Sequence, residues 1–212
     1  MPEQSLVSPI CRRPPRAARR VWTRPWWLAA LLLPIVAAAE PARYEIDPEH
    51  VSVGFLVSHL GFARVLGSFG EVSGGYSFDE ATGELGEVRV VVTTDSVFTG
   101  HEERDEHLRS KDFLDSRRHP EMVFTADAAR RTGERSFEID GRLELLGQTL
   151  PLTLTANWNK SGDYPIGRGA YAMGVSARGT LARSAFGMSY GVDNGWVGDD
   201  VEILIELEAR RQ

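Results

Sequence analysis

The chain has 212 residues, of which 42% are hydrophobic and 25% are charged, and its formal net charge is −6. Six of its 24 basic residues and one of its 30 acidic residues lie in the first 39 positions, which leaves 18 basic and 29 acidic groups and a net charge near −11. This excess of acid argues against binding to nucleic acid or to anionic membrane surfaces, because both require a basic surface. The length after residue 39 is typical of a single domain with a sizeable core.

The first 39 residues have the pattern of a cleavable secretory signal peptide. Six arginines precede an apolar run from Trp26 to Val36, and Ala37–Ala39 provides small residues at which a signal peptidase cuts. The run is shorter than the about 20 residues of a membrane-spanning helix. We predict cleavage near residues 39–42 and export to the periplasm, with an uncleaved N-terminal anchor as the alternative. The single cysteine, Cys11, lies in this segment, so residues 40–212 have neither a disulfide nor a cysteine metal site.

A repeated alternation of apolar and polar side chains predicts an all-β domain. The strongest runs are Val51–Val57, Val88–Val92, Leu150–Trp158 and Val201–Leu207, and weaker runs are Phe69–Phe78, Met122–Ala128, Ser136–Leu145 and Tyr171–Leu181. Turn sequences at 79–83, 132–134, 147–148 and 161–163 predict antiparallel neighbours. A sheet of about eight strands with one apolar face must close into a barrel or fold into a sandwich.

The segment Thr99–Phe124 interrupts this pattern with one short, charged helix. Thr99 followed by Glu102 fits a capping box, so we expect the helix to begin there. Leu108 is the one large aliphatic residue of the helix, and Phe113 and Leu114 after it are placed to dock into the mouth of a barrel.

The helix also contains pairs of side chains at metal-ligand spacing. His101 and Asp105, and likewise Glu103 and His107, are four residues apart and would share a face. Each pair lacks the third ligand that a zinc site needs, so we predict no metal; a solvated helix with ion pairs, such as Asp105 with Arg109, is the simpler interpretation.

Residues for covalent catalysis are not apparent in the sequence. There is no G-x-S-x-G motif and no clear pair of carboxylates, so we predict that the protein is not an enzyme. His59 continues the apolar face of Val51–Val57 and should point inward, either as a hydrogen-bonded core residue or as a contact for a polar ligand group.

A glycine-containing loop, Ala182–Gly198, precedes the last strand and carries Phe186, Met188, Tyr190 and Trp196. Large apolar side chains in a loop are costly unless they are buried. This loop is therefore either a flap over a ligand opening or a plug that closes one end of a barrel.

These segments together resemble the YceI-like family of secreted bacterial lipid-binding proteins, from about residue 43 to residue 210. The matching segments are Tyr44–Asp47, the D-x-x-H sequence Asp47–His50, the strand Phe55–His59, the block Thr99–Phe124, the strand pair within Leu143–Leu154, Arg183-Ser184 with Phe186-Gly187, and Gly198–Val201. One position differs: the family usually has an aspartate where this chain has Ala185, which leaves the head-group preference open.

The resemblance implies that residues 40–212 form an extended, lipocalin-like antiparallel barrel with an apolar tunnel for an isoprenoid quinone, a polyprenyl lipid or another long-chain amphiphile. The walls would come from Phe55, Val57, Phe69, Val90, Phe124, Leu152 and Ile203, and the loop would add Phe186, Met188 and Trp196. The polar candidates near the openings are His59, Arg104, Asp105 and Arg183, and each has a purely structural role as its alternative. The bound lipid would be the only cofactor-like group.

Two other functions fit the same strand pattern. An outer-membrane barrel would turn the apolar faces outward and show aromatic girdles. An enzyme acting on a lipid head-group would lose turnover on substitution of His59 or Asp105. The sequence also leaves open whether the protein works alone, as a homodimer, or beside a membrane redox or lipid-transfer partner.

Overall fold

The computed structural model describes residues 41–166 and 169–212, and the predicted signal peptide, residues 1–39, lies outside the described residues. The described elements are β1 (Ala42–His59), β2 (Ala63–Phe69), β3 (Val72–Phe78), β4 (Leu85–Thr93), β5 (Val97–Phe98), α1 (Glu102–Arg109), β6 (Glu121–Ala126), β7 (Arg130–Arg131), β8 (Ser136–Leu145), β9 (Gln148–Asp163), β10 (Tyr171–Ala182) and β11 (Val197–Arg211). Short 3-10 turns occupy Thr94–Ser96 and Arg183–Phe186.

Eight of these strands form a closed antiparallel barrel, in the order β1, β3, β4, β6, β8, β9, β10 and β11, with β11 paired back to β1. The first half of β1 pairs with β3, whereas its second half pairs with β2, which in turn carries the short β5. The predicted eight-stranded barrel is confirmed, and the pairing of β11 with β1 excludes the sandwich.

Two boundaries predicted from the sequence are wrong. The weak run Phe69–Phe78 is two strands, because the chain turns at Gly70, whose backbone N–H donates to the carbonyl of Ser96 at 3.1 Å. The polar residues 161–163 are not a turn but the end of β9, where Gly162 pairs with Ala172 of β10. Pairing with β10 supplies the backbone hydrogen bonds of residues 161–163, so the strand continues although the residues themselves are typical of a turn.

The apolar faces of the strands point into the barrel. Val53, Phe124, Leu152 and Met173 are buried inside it. The opposite face of the strands is wet and charged, as in the outward ion pair of Arg178 with Glu206.

The helix α1 begins at Glu102, and its N-cap is His101, whose Nδ1 accepts a hydrogen bond from the backbone N–H of Arg104 at 3.4 Å. The predicted Thr99 cap is wrong, because Thr99 instead donates from its backbone N–H and its hydroxyl to the buried carboxylate of Asp105. Within the part of the chain that the structure covers, no helix has both the length and the apolar character to cross a membrane.

Arg109 tethers α1 to the segment that precedes it. Its guanidinium donates to the carbonyls of Asp95 and Val97 at 2.8 and 2.9 Å and lies 3.7 Å from the Asp95 carboxylate. The predicted ion pair between Asp105 and Arg109 is therefore not formed. Asp105 binds Thr99 and Arg109 binds the segment Asp95–Val97, and both contacts hold the helix in place.

Candidate ligand-binding cavity

The barrel encloses a cavity of about 660 Å³ whose walls are almost entirely aliphatic and aromatic. Every strand of the barrel contributes inward side chains to it, among them Val53, Tyr76, Val90, Phe124, Leu143, Leu152, Val175 and Ile203. Its volume is within the range of about 300–1,000 Å³ that small-molecule sites usually have.

Two aromatic rings of the wall lie directly over glycines of neighbouring strands. A methyl group placed on Gly67 would come within 2.2 Å of the ring of Phe55, and one on Gly141 within 2.3 Å of the ring of Phe124. The missing side chains leave room for the tips of these two rings, which a Cβ at either glycine would displace.

The cavity opens at one end of the barrel. Among the described residues that line it, the solvent-exposed ones are His59, Leu60, Arg104, Tyr190 and Trp196. They come from the β1–β2 turn, from α1 and from the loop before β11, which lie together at this end. We call this opening the mouth.

An aromatic cluster joins α1 to the loop at the mouth. The His107 ring meets Phe113 at 5.0 Å and Tyr190 at 4.9 Å, both edge to face, and Phe113 and Tyr190 are 5.3 Å apart between ring centroids. His107 Nε2 also lies 3.1 Å from the Asp112 carboxylate, which fixes the orientation of the ring. The predicted docking of Phe113 and Leu114 is observed, since both are buried and line the cavity.

Arg183 holds the loop at the mouth in its conformation. The side chain is 2% exposed, and its guanidinium donates to four backbone carbonyls at 2.7 to 2.9 Å. Those carbonyls belong to Met188, Tyr190, Val197 and Gly198. Burial lowers the pKa of Arg183, and the nearby carboxylate of Asp199 opposes that shift. All this hydrogen bonding is internal, so the residue acts as a clamp for the loop.

The opposite end of the barrel is closed by a hydrogen-bonded network around Glu80. Its carboxylate accepts from Tyr44 at 2.6 Å, from Ser161 at 2.5 Å and from Tyr171 at 3.0 Å. Burial acts to raise the pKa of Glu80, but these three hydroxyl donors outweigh it and leave the pKa lowered. The network ties β1, β9 and β10 together at the base of the cavity.

The D-x-x-H segment lies in a bulge of β1, where the pairing with β11 shifts between Ile46 and Val51. Asp47, Glu49 and His50 bring their ligand atoms within 4.8 Å of one another there. The Asp47 carboxylate already contacts His50 at 3.0 Å and Arg210 at 2.7 Å. Since Arg210 belongs to β11, these residues form an ion-paired contact between β1 and β11, which we call the seam of the barrel.

Comparison with known proteins identifies the family. The model of the YceI-like domain matches residues 44–209 of this chain. The chain belongs to the YceI-like family. It is 37% identical over 186 residues to a UPF0312 protein of Pectobacterium carotovorum, an alignment that covers 87% of this chain and 94% of that protein.

Solved structures show the same YceI-like fold. The crystal structure of BcnA from Burkholderia cenocepacia matches with a TM-score of 0.69 at 21% identity, covering 77% of this chain and 98% of BcnA. A polyisoprenoid-binding domain from Saccharophagus degradans, implicated in plant cell wall breakdown, matches with a TM-score of 0.61 at 15% identity, covering 81% and 99%. At these identities, both likenesses bear on the fold alone.

Ala185, at which the sequence is expected to differ from the YceI-like pattern, is exposed. Ala185 lies in the 3-10 turn that follows β10, and its side chain faces solvent. The neighbouring Ser184 donates its backbone N–H and its hydroxyl to Asp199 at 2.8 and 2.7 Å, which fixes the turn without any contribution from residue 185.

Most of the site residues predicted from the sequence line the cavity. They are Phe55, Val57, His59, Phe69, Val90, Arg104, Phe124, Leu152, Arg183, Met188, Trp196 and Ile203. Two others do not: Asp105 is turned toward Thr99, and Phe186 is 4% exposed within the core. Arg104 reaches the mouth but also donates to the hydroxyl and the carbonyl of Thr99, at 2.7 and 2.9 Å.

Sequence reasoning missed several residues of the wall, notably Tyr76 and Trp158 at the closed end and His107 at the mouth. Trp158 ended a predicted strand and Tyr76 lay in a glycine-rich run, so inward alternation could have found both. The position of His107 depends on how α1 lies against the barrel, which no local pattern reports.

Proposed function

We propose that this protein is a secreted periplasmic binding protein for a polyisoprenoid-type or other long-chain amphiphilic lipid, such as an isoprenoid quinone or a polyprenyl lipid. It would act as a carrier, store or scavenger and not as an enzyme, with residues 40–212 as the mature lipid-binding domain after removal of the signal peptide. The observation that carries this proposal is the apolar cavity of about 660 Å³ inside the barrel.

The walls of the cavity supply the affinity that such a lipid needs. Burial of about 300 Å² of apolar ligand surface at about 25 cal/mol per Å² favours binding by about 7 kcal/mol before the costs of association. This term requires no directional contact, so a long hydrocarbon chain would bind without catalytic groups.

Two further observations support the proposal. The fold is shared with a domain that is described as polyisoprenoid-binding. The outward faces of the strands carry ion pairs such as Arg178 with Glu206, whereas an outer-membrane barrel has an apolar band on that face.

The direct test is native mass spectrometry of the purified protein, followed by extraction and identification of the bound lipid. We expect a mass above that of the polypeptide, a co-purified isoprenoid or long-chain amphiphile, and rebinding of the lipid by stripped protein. Recovery of lipid-free protein that fails to bind added isoprenoid quinone or polyprenol would overturn the proposal. The same spectrum measures the oligomeric state.

A matched pair of variants on β4 distinguishes the cavity from nonspecific association. Val90 lines the cavity, whereas its neighbour Val91 does not. Val90→Trp should fill part of the space and weaken lipid binding by roughly tenfold or more, equivalent to about 1.4 kcal/mol, while Val91→Trp should leave the affinity unchanged. Equal effects of the two substitutions would show that lipid associates with the outer surface.

Export is tested separately by cell fractionation. We expect the protein in the periplasmic fraction with an N-terminus between residues 40 and 43, whereas an uncleaved leader or a cytoplasmic location would contradict this part of the proposal.

A further inference from the structure

We infer that the closed end of the cavity binds a neutral oxygen atom of the lipid head-group through Tyr76 and Trp158, so that the lipid lies with its polar end innermost. This inference rests on the proposed function and adds to it the chemistry and the orientation of the ligand.

The first observation is an unpaired hydroxyl group. Tyr76 lines the cavity and is 7% exposed, and its hydroxyl is buried without a hydrogen-bond partner among the described residues. Its stacking neighbour Tyr44, with ring centroids 5.4 Å apart, donates instead to Glu80. A buried hydroxyl without a partner is costly, so Tyr76 is suited to bind a group that enters the cavity.

The second observation is an unpaired indole N–H at the same end. Trp158 lines the cavity, and its Nε1 is buried without a partner among residues 41–166 and 169–212. Phe78 joins the two positions, since it lies two residues after Tyr76 on β3 and meets the Trp158 ring edge to face at 5.7 Å. Both polar groups therefore belong to the base of the cavity, away from the mouth.

The chemistry of the two groups selects the kind of atom. An indole N–H only donates, and a tyrosine hydroxyl can donate as well as accept, so together they suit an acceptor oxygen such as that of an alcohol or a carbonyl. Burial raises the pKa of Tyr76 well above its usual value, which keeps this hydroxyl protonated.

Charge selects against a phosphate at this end. The basic side chains that line the described cavity are His59, Arg104, His107 and Arg183, all on the side of the mouth. Arg135 lies over the Trp158 ring, 5.1 Å from its centroid, but it is exposed, donates to the carbonyl of Asn159 and does not line the cavity. A phosphate buried inside the cavity against Tyr76 and Trp158 would therefore lack a counter-charge there. A neutral oxygen avoids that cost.

The test compares three ligands that share one isoprenoid chain: farnesol, the hydrocarbon farnesene and farnesyl phosphate. Each is titrated into stripped wild-type protein and into Tyr76→Phe, Trp158→Phe and the double variant. We expect the wild type to bind farnesol roughly tenfold more tightly than farnesene. The single variants should reduce this ratio and the double variant should abolish it, while the affinity for farnesene stays within about twofold.

Thermal unfolding of the lipid-free variants provides a second measurement. Tyr76→Phe removes an unpaired buried hydroxyl, so we expect its Tm to equal or exceed that of the wild type, which separates loss of binding from loss of folding.

Each other outcome overturns the inference. Equal binding of farnesol and farnesene by the wild type, or an equal loss for both ligands in the variants, would make Tyr76 and Trp158 structural. Tighter binding of farnesyl phosphate than of farnesol would place the head-group at the mouth. Failure of all three ligands to bind would overturn the lipid-binding function itself.

Discussion

Asp47, near the start of the first barrel strand, accepts two hydrogen bonds from Arg210, near the end of the last, at 3.0 and 2.7 Å. The carboxylate is 6% exposed and also accepts from His50 and from the backbone N–H of Glu49. The pair joins β1 to β11 beside the bulge at which their register shifts. It therefore strengthens the seam of the barrel where the backbone ladder is interrupted.

We predict that Asp47→Asn lowers the free energy of unfolding by about 2 kcal/mol, because a charged hydrogen-bond acceptor at a buried position is lost. Urea titration followed by tryptophan fluorescence measures the change. The control is Glu87→Gln, which breaks the exposed pair with Arg43 at 3.4 Å and should cost less than about 1 kcal/mol. Equal costs for the two substitutions would contradict a special role for the seam.

The same seam predicts a pH dependence of stability. Burial would raise the pKa of Asp47, but the hydrogen bonds from Arg210, His50 and Glu49 outweigh it and leave the pKa lowered. The Asp47 contribution is therefore present above the ordinary aspartate value of about 3.9 and is lost as the pH falls through the lowered pKa.

His50 behaves in the opposite sense, since its hydrogen bond to Asp47 raises its pKa. Its contribution is present below the ordinary histidine value of about 6.5 and is lost as the pH rises through the raised pKa. We expect the stability difference between the wild type and Asp47→Asn to be greatest between about pH 4 and pH 6.5. In a His50→Gln background, this stability difference should no longer decline as the pH rises above about 6.5, while its decline below about pH 4 should remain. A stability difference that is constant from about pH 3 to about pH 9 would contradict the roles assigned to both Asp47 and His50.

The contact of Phe55 with Gly67 predicts that a single methyl group can narrow the cavity. Gly67→Ala places its Cβ 2.2 Å from the far end of the Phe55 ring, which must turn into the cavity. We expect a change in stability of about 1 kcal/mol or less, because there is room for the ring, but roughly tenfold weaker lipid binding.

The matched control for this substitution is Gly174→Ala in β10, where the nearest atoms are at 3.9 Å. It should alter neither stability nor affinity. Isothermal titration calorimetry of both variants with the same lipid measures the two affinities. An unchanged affinity in Gly67→Ala would show that the ligand does not reach Phe55.

The clamp at the mouth predicts that lysine cannot replace Arg183. A lysine ammonium is a compact group with three donors and cannot span the four carbonyls that the guanidinium reaches. Arg183→Lys should lower the unfolding free energy by about 3 kcal/mol and accelerate hydrogen exchange of the loop amides 188–198. Arg142→Lys, which loses one exposed bond to the carbonyl of Thr149, is the control; equal exchange in both variants would refute the clamp.

The exposed position of Ala185 predicts that an aspartate at this position is not needed for folding. Ala185→Asp should change the unfolding free energy by less than about 0.5 kcal/mol, as expected for a surface site. A larger stabilisation would show that the aspartate makes a contact that this chain lacks.

The sequence predicted the barrel well because inward and outward side chains alternate with the pleat of each strand. Val51–Val57 and Val201–Leu207 lie in the paired strands β1 and β11, as their patterns indicated. The end of β9 could not be predicted, because Gly162 is held in the sheet by Ala172 of another strand and not by its own composition.

Polar residues were harder to predict than apolar ones. Arg183 and Asp105 were both expected near an opening, yet both are taken up by internal hydrogen bonds: Arg183 donates to backbone carbonyls of the loop, and Asp105 accepts from the backbone N–H and the hydroxyl of Thr99. For Phe55 or Leu152, by contrast, the inward direction alone is enough to place the side chain in the wall. Which polar groups remain unpaired, as Tyr76 and Trp158 do among the described residues, follows only from the complete set of neighbours.

The pairing of β1 with β11 also has a consequence for how the chain folds. Val53 lies opposite Ile205, and the contacts between these strands join residues that are far apart in the chain. Pairings of such long range form slowly, because a large loss of chain entropy precedes the contacts that compensate for it. The last strand must be synthesised before the barrel can close. Until then the apolar inner faces of the strands are exposed to intermolecular association. Molecular chaperones that bind nascent chains should therefore matter most in that interval.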